Sequence, residues 1–293
     1  MVRPSVSRVK RFIQRGWPRA LVESTELAEG ELWTREAVGD LRAAGFRPRA
    51  WRLFVAHSLA RARLSRQDRP RAHRQTLGLA ALGLAAWLVL ALVGHPWLAL
   101  VGATWWALVV VMLDWHLGML EDVDGRRSVG LGAPNLLTLL RTAPVPVLPV
   151  LTPTLLLVAL IIAGSADVLD GGIARFFGQE TRLGAWLDGG VDGFVLGAAA
   201  VGAGRDGLLP WWAVAIVLAR HALPWAVVAT AWFAIAARPE RSGVVSGKTP
   251  GAILFAGLVF ACLRLPGAST LVTVGALGGL ATFGLTLVRA RRR

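Results

Sequence analysis

The chain has almost no cysteine and almost no lysine. Its single cysteine, Cys262, lies in an apolar run of a 293-residue sequence. One thiol excludes an internal disulfide and offers no redox pair. Lysine stands only at positions 10 and 248, so the formal charge of +14 rests almost wholly on arginine. The segment Met1 to Arg19 carries Arg and Lys but no apolar stretch. No cleavable signal peptide is expected from it, and the first membrane span should direct insertion. There is no internal repeat and no low-complexity tract.

What the chain has is apolar length. It is 55% apolar, with a mean hydropathy of +0.55, above the ~45–50% apolar content of soluble domains. Eight apolar runs fall near 76–94, 97–118, 134–151, 154–176, 184–203, 208–237, 250–264 and 269–288. Runs of about twenty residues cross ~30 Å of hydrocarbon, so an all-α polytopic membrane protein is expected. The basic charge then reads as loops facing anionic lipid rather than as a nucleic-acid surface. One set of connections holds Arg126 and Arg127, Arg175 and Arg182, then Arg238, Arg241 and Lys248; the alternate set is nearly free of basic excess. By the positive-inside rule the first set is cytoplasmic, and both termini fall on that side. Trp97, Trp105, Trp106, Trp115, Trp211 and Trp212 lie near span ends, as an aromatic belt would. Arginine without lysine points to a GC-rich bacterial genome, and so to a bacterial plasma membrane.

The chain divides into three regions. Residues 1–75 read as a cytoplasmic basic helical region. A first helix is expected over Thr34 to Ala44, capped by Thr34, and a second is opened by Pro48. In the second, Trp51, Phe54, Val55, Leu59 and Ala62 recur at helical spacing among arginines, which fits an interfacial amphipathic helix or a solvated basic helix packed on its neighbour. Residues 76–120 form a two-helix membrane preface. After a polar break, residues 131–293 form a core of six helices.

Inside that core stands one dense carboxylate frame: Asp167-x-x-Asp170-Gly171-x-x-Ala174-Arg175, then Gly184-x-x-x-Asp188-x-x-x-Asp192. Four carboxylates beside a bilayer need a compensating charge. Positions three or four apart share a helix face, so each pair shares one, and a turn between Arg175 and Gly184 lets the two faces meet. Gly171, Ala174 and Gly184 are small and permit close approach. Oxygen donors without His or Cys suit a hard cation, Mg²⁺ or Mn²⁺. Two such ions could neutralise a diphosphate, Arg175 could meet phosphate oxygens, and one aspartate could take a proton from an attacking hydroxyl. The chemistry implied is metal-assisted phosphoryl transfer at the membrane surface.

The frame resembles the D-x-x-D-G-x-x-A-R … G-x-x-x-D-x-x-x-D motif of the CDP-alcohol phosphotransferase family, with every fixed position filled over residues 167–192. The resemblance implies a six-span enzyme over about residues 131 to 290. Such an enzyme moves a substituted phosphoryl group from a CDP-linked donor to an alcohol and releases CMP. It also implies that Asp167, Asp170, Asp188 and Asp192 ligate two metal ions, with Asp192 as proton acceptor. Gly171, Ala174 and Arg175 would hold the CDP moiety, with Thr181 and Gly184 in the turn. Pro134-Asn135-Leu136-Leu137-Thr138-Leu139-Leu140-Arg141 is similar to the family's opening helix, whose Pro134, Asn135 and Thr138 would reach the nucleotide. A homodimer is implied as well.

The acceptor is less legible. Arg220, a cation within a span, either binds an anionic acceptor or pairs with Asp206 or a helix carbonyl. Lys248 is a second acceptor candidate. Family members that act on glycerol 3-phosphate often show Arg followed by an acidic residue and a Gly-Lys-x-Lys-Thr element; this chain has Arg220-His221 and Gly247-Lys248-Thr249-Pro250. Asp114 and His116 either reach the acceptor pocket or are satisfied near the headgroups, and His57 and His73 read as surface residues. The leading expectation is a Mg-dependent phosphatidyltransferase that uses CDP-diacylglycerol. Open beside it are an enzyme that uses a soluble CDP-alcohol with a lipid acceptor, a cation transporter and a catalytically silent scaffold.

Overall fold

The computed structural model describes residues 29–122, 126–177, 181–235 and 248–292, with side chains described from residue 33 and excluding those of 170–177, 235 and 289–292. Regular structure among the described residues is helical: α1 (Glu29–Ala43), α2 (Pro48–Asp68), α3 (Pro70–Leu92), α4 (Pro96–Trp115), α5 (Gly132–Thr142), α6 (Pro153–Phe177), α7 (Arg182–Arg205), α8 (Trp211–Ile235), α9 (Lys248–Cys262) and α10 (Ala268–Arg292). The chain is an all-α polytopic membrane protein. Helices α3, α4, α8 and α10 are long and apolar enough to cross a bilayer, while the apolar stretches of α6 and α9 are shorter. Prolines at the first turn open α2, α3 and α4, where a missing N–H costs nothing.

The expected elements are altered in three places. The first helix starts at Glu29, so Thr34 lies inside it and does not cap it. The run at 134–151 is not one continuous helix: Pro144, Pro146 and Pro149 remove donors and break it into the 11-residue α5 and a 3₁₀ turn at Leu148–Val150. His73 is not a plain surface residue, because its Nδ1 lies 2.7 Å from Asp114.

The preface helices α3 and α4 pack antiparallel through reciprocal notches. The Trp106 ring lies over Gly83, where an added Cβ would come within 2.0 Å of Nε1, and the Trp87 ring lies over Gly102, at 2.3 Å. Trp106 Nε1 also donates to Leu79 O at 3.0 Å. This preface docks on the core through Trp105, which donates to Thr142 O at 2.8 Å and meets the Phe194 ring edge-on at 4.7 Å.

The core proper is packed from small and branched residues of α6 to α10, among them Leu156, Leu160, Ala199, Ala203, Val217, Leu258 and Val272. A smaller apolar cluster (Leu113, Leu117, Leu120, Leu131, Leu139 and Leu183) joins the end of α4 to α5 and the start of α7. These two clusters fix α5, α6 and α7 relative to one another and so position the carboxylates. The basic region is attached as well. Arg42 donates to Ala234 O at 3.2 Å, and Trp51 packs on Phe233 at 5.6 Å. Trp51, Leu53, Val55, Leu59 and Leu64 of α2 remain exposed.

Candidate metal and phosphoryl-transfer site

The joint between α6 and α7 gathers three of the four aspartates. One carboxylate oxygen from each of Asp167, Asp188 and Asp192 lies within 4.8 Å of the others. Asp167 comes from the second half of α6, and Asp188 and Asp192 from the first half of α7. Their side chains are 44%, 54% and 40% exposed, so the cluster is open on one side. Asp170 is on α6 one helical step beyond Asp167, but its side chain, like those of Ala174 and Arg175, lies outside the described ones.

The buried side of the cluster is closed by a residue to which the sequence reading gave no role. Arg141, at the end of α5, is 6% exposed and places its guanidinium against all three carboxylates. Nη1 donates to Asp167 Oδ1 at 2.6 Å and lies 3.7 Å from Asp188 Oδ1, and Nη2 donates to Asp192 Oδ1. The signal was available: an arginine in an apolar helix, three residues beyond Thr138, requires a counter-charge. On α5 the buried Pro134, Thr138 and Arg141 fall on one side, and the exposed Ala133 and Leu140 on the other.

The residues assigned by resemblance to the nucleotide first bind one another. Asn135 donates to Leu131 O at 2.6 Å and to Thr181 Oγ1 at 3.2 Å. Thr181 is the N-cap of α7 and accepts from Gly184 N at 3.0 Å, satisfying one of the free donors of that helix end. A Cβ at Gly184 would meet Asn135 Oδ1 at 2.4 Å, so only glycine lets α5 and α7 approach this closely. Thr138 Oγ1 donates to Pro134 O at 3.0 Å. These residues therefore form the seam beside the aspartates. The start of α7 is held from the preface side too: Arg182 N donates to Glu121 O at 2.9 Å.

The acceptor candidates separate. Arg220 donates to Pro250 O at 3.1 Å and Gly275 O at 2.8 Å, tying α8 to α9 and α10, while Asp206 pairs with Arg205 at 2.7 Å. Of the two structural readings of Arg220, the helix carbonyls are the partners found. Lys248 is exposed at the first residue of α9. Asp114 is held by Arg66 at 2.6 Å and His73 at 2.7 Å, so its carboxylate serves the α2–α3–α4 joint. His116 Nδ1 lies 2.7 Å from Met112 O.

Three carboxylates converging at one helix joint of a membrane-embedded helical core make an oxygen-only donor set of the kind that suits a hard divalent cation. The CDP-alcohol phosphatidyltransferase family profile matches residues 131–287, and the chain belongs to that family. Proteins of Mycobacterium tuberculosis and Mycobacterium bovis named as cardiolipin synthase are 37% identical over 98 residues, which cover 32% of this chain and 47% of theirs. A Mycobacterium tuberculosis protein named as a phosphatidylglycerophosphate synthase is 35% identical over 105 residues, 30% of this chain and 46% of that one. The chain thus spans about half the length of the curated relatives it matches. No solved structure matches it.

Proposed function

We propose that the chain transfers a phosphatidyl group from CDP-diacylglycerol to an alcohol at the cytoplasmic face of a bacterial plasma membrane, releasing CMP. The observation that carries this reading is the convergence of Asp167, Asp188 and Asp192 within 4.8 Å, inside the family match. The donor set is oxygen only, which fits a hard cation. Two Mg²⁺ or Mn²⁺ ions, when bound, would neutralise the donor diphosphate and the charge on the transferring phosphoryl group. Asp167, Asp170, Asp188 and Asp192 would hold them.

This chain's residues supply the rest. Arg175, with Gly171 and Ala174 at the end of α6, meets the donor phosphates. The seam of Pro134, Asn135, Thr138, Thr181 and Gly184 walls the nucleotide. Asp192 takes the proton of the acceptor hydroxyl as that oxygen bonds to the β-phosphorus of the donor, the one that carries diacylglycerol. The bond from this phosphorus to the bridging oxygen breaks, and CMP leaves with its electrons. The exposed apolar faces of the surrounding helices keep the donor's acyl chains in the bilayer while its head reaches the aspartates.

The acceptor proposed is the free glycerol hydroxyl of phosphatidylglycerol. Arg220 is engaged with two helix carbonyls, and the lysine-rich element expected for a glycerol 3-phosphate site is absent. Glycerol 3-phosphate is the second reading, favoured by the relative named as a phosphatidylglycerophosphate synthase; Arg220 and Lys248 would then bind its phosphate. Cytoplasmic termini and a homodimer belong to the same proposal, and cysteine-accessibility labelling and crosslinking test them.

The deciding experiment measures CMP release by purified protein in detergent with CDP-diacylglycerol, Mg²⁺ and a panel of phosphatidylglycerol, glycerol 3-phosphate, inositol phosphate, inositol and serine. Release with one alcohol, abolished by Asp192→Ala, is the expected result. Release only with a soluble CDP-alcohol donor would reverse donor and acceptor. No release from folded protein with any pairing would sink the enzyme reading in favour of a scaffold, or of a transporter if proteoliposomes pass metal.

A further inference from the structure

We infer that Arg141 is the built-in counter-ion of the carboxylate cluster, and that its charge sets how strongly a divalent ion stabilises this protein. The inference rests on the metal site proposed above. Its basis is positional. The guanidinium is 6% exposed and lies on the inner side of the cluster, whereas the three carboxylates it contacts are 40–54% exposed and open outward. A cation that enters from the open side therefore meets the carboxylates without displacing Arg141. A planar fork on a rigid helix suits two carboxylates at once, and here it spans Asp167 of α6 and Asp192 of α7.

The charge balance follows. Three carboxylates of −1 against one guanidinium of +1 leave −2 among the described groups, so the joint keeps a net negative charge for divalent cations. Without the guanidinium, the α6 and α7 carboxylates repel across the joint until metal arrives. Arg141 thus lets the metal-free protein hold the carboxylates in register, and metal binding then adds comparatively little stability. A residue that only filled space at this joint would stabilise the protein equally with and without metal.

The test is thermal unfolding of the full chain in detergent, with EDTA and with Mn²⁺. Arg141→Met is expected to lower Tm in EDTA, on the order of 10 °C for the loss of a buried charge partner. Mn²⁺ should then raise Tm at least twice as far in the variant as in the wild type. Adding Asp167→Asn to Arg141→Met should recover much of the loss in EDTA, because it removes one of the uncompensated charges. Arg141→Lys, which keeps charge without the fork, should fall between. If Arg141→Met is too unstable to purify in EDTA, recovery of folded Arg141→Lys or Arg141→Met by Mn²⁺ during purification supports the same conclusion.

A Tm loss that is the same with and without Mn²⁺, no recovery by Asp167→Asn, or failure of both variants to fold even with Mn²⁺ assigns Arg141 a packing role and overturns the inference. The wild type distinguishes loss of the metal-dependent function from loss of the Arg141 role alone. A wild-type Mn²⁺ shift with an equal shift in Arg141→Met removes only this inference. No wild-type shift, and no CMP release, removes the metal-dependent function and this inference with it.

Discussion

Two antiparallel helix pairs in this molecule are built in opposite ways. The α3–α4 pair closes on itself, with each helix offering a tryptophan to a glycine notch on the other. Among the described residues, the α6–α7 pair meets far less extensively. It turns aspartates toward its own joint, and its closest link there is an arginine lent by a third helix. Close packing of complementary shapes gives one stable arrangement. Charges held together by a borrowed cation leave a joint with net negative charge among the described groups. On the function proposed above, the first pair supplies stability and the second supplies chemistry.

That contrast can be broken from either side. The largest effect is expected at the charged joint: Asp192→Ala should lower CMP release by roughly 10³-fold or more, the scale for a residue acting in the transition state, while Tm moves little. A Tm drop that accounts for the lost activity would erase the distinction. At the packed pair the order reverses. Trp106→Ala should cost about 3–5 kcal/mol of stability, with turnover per folded molecule unchanged; a specific loss of turnover would show that the preface belongs to the site. Gly83→Val forces a methyl-bearing side chain into the Trp106 ring, and about 1–3 kcal/mol of overpacking is expected. Unfolding curves of single and double variants would show whether this adds to Trp106→Ala; it should not, because the ring it strikes is then gone. The smallest effect is at the seam: Thr181→Ala removes the cap of α7 and should cost about 1 kcal/mol. Because Thr181 also holds Asn135, its donor KM should rise more than its kcat falls.

The parts legible in the sequence are those written as a spacing. The aspartate frame placed Asp167, Asp188 and Asp192 together because residues three or four apart share a helix face and a short turn reverses the chain. Membrane character was legible from run length. What was hidden depended on the third dimension. The sequence gives Arg141 no visible role within its motif, because its partners stand 26, 47 and 51 positions away. Asp114 read as either a pocket residue or one satisfied near the headgroups; its partners Arg66 and His73 lie 48 and 41 positions before it and meet it only once α2 and α3 pack against α4. The third apolar run looked like one continuous helix because apolar content does not register three prolines. The α5 seam residues looked ligand-facing by resemblance, and the structure shows Asn135, Thr181 and Gly184 interlocked.

The brevity of α5 bears on how the protein is made. Its 11 residues rise only about 16 Å as a helix, roughly half of the ~30 Å hydrocarbon layer, and it carries a guanidinium near its end. Left alone in lipid, such a segment is unstable by length and by charge. Its partners emerge from the ribosome later, on α6 and α7. The chain therefore synthesises its cation before the anions that stabilise it, and the seating of α5 must wait for the two helices that follow. The same arginine that organises the finished site makes its assembly a late event, common to three helices at once.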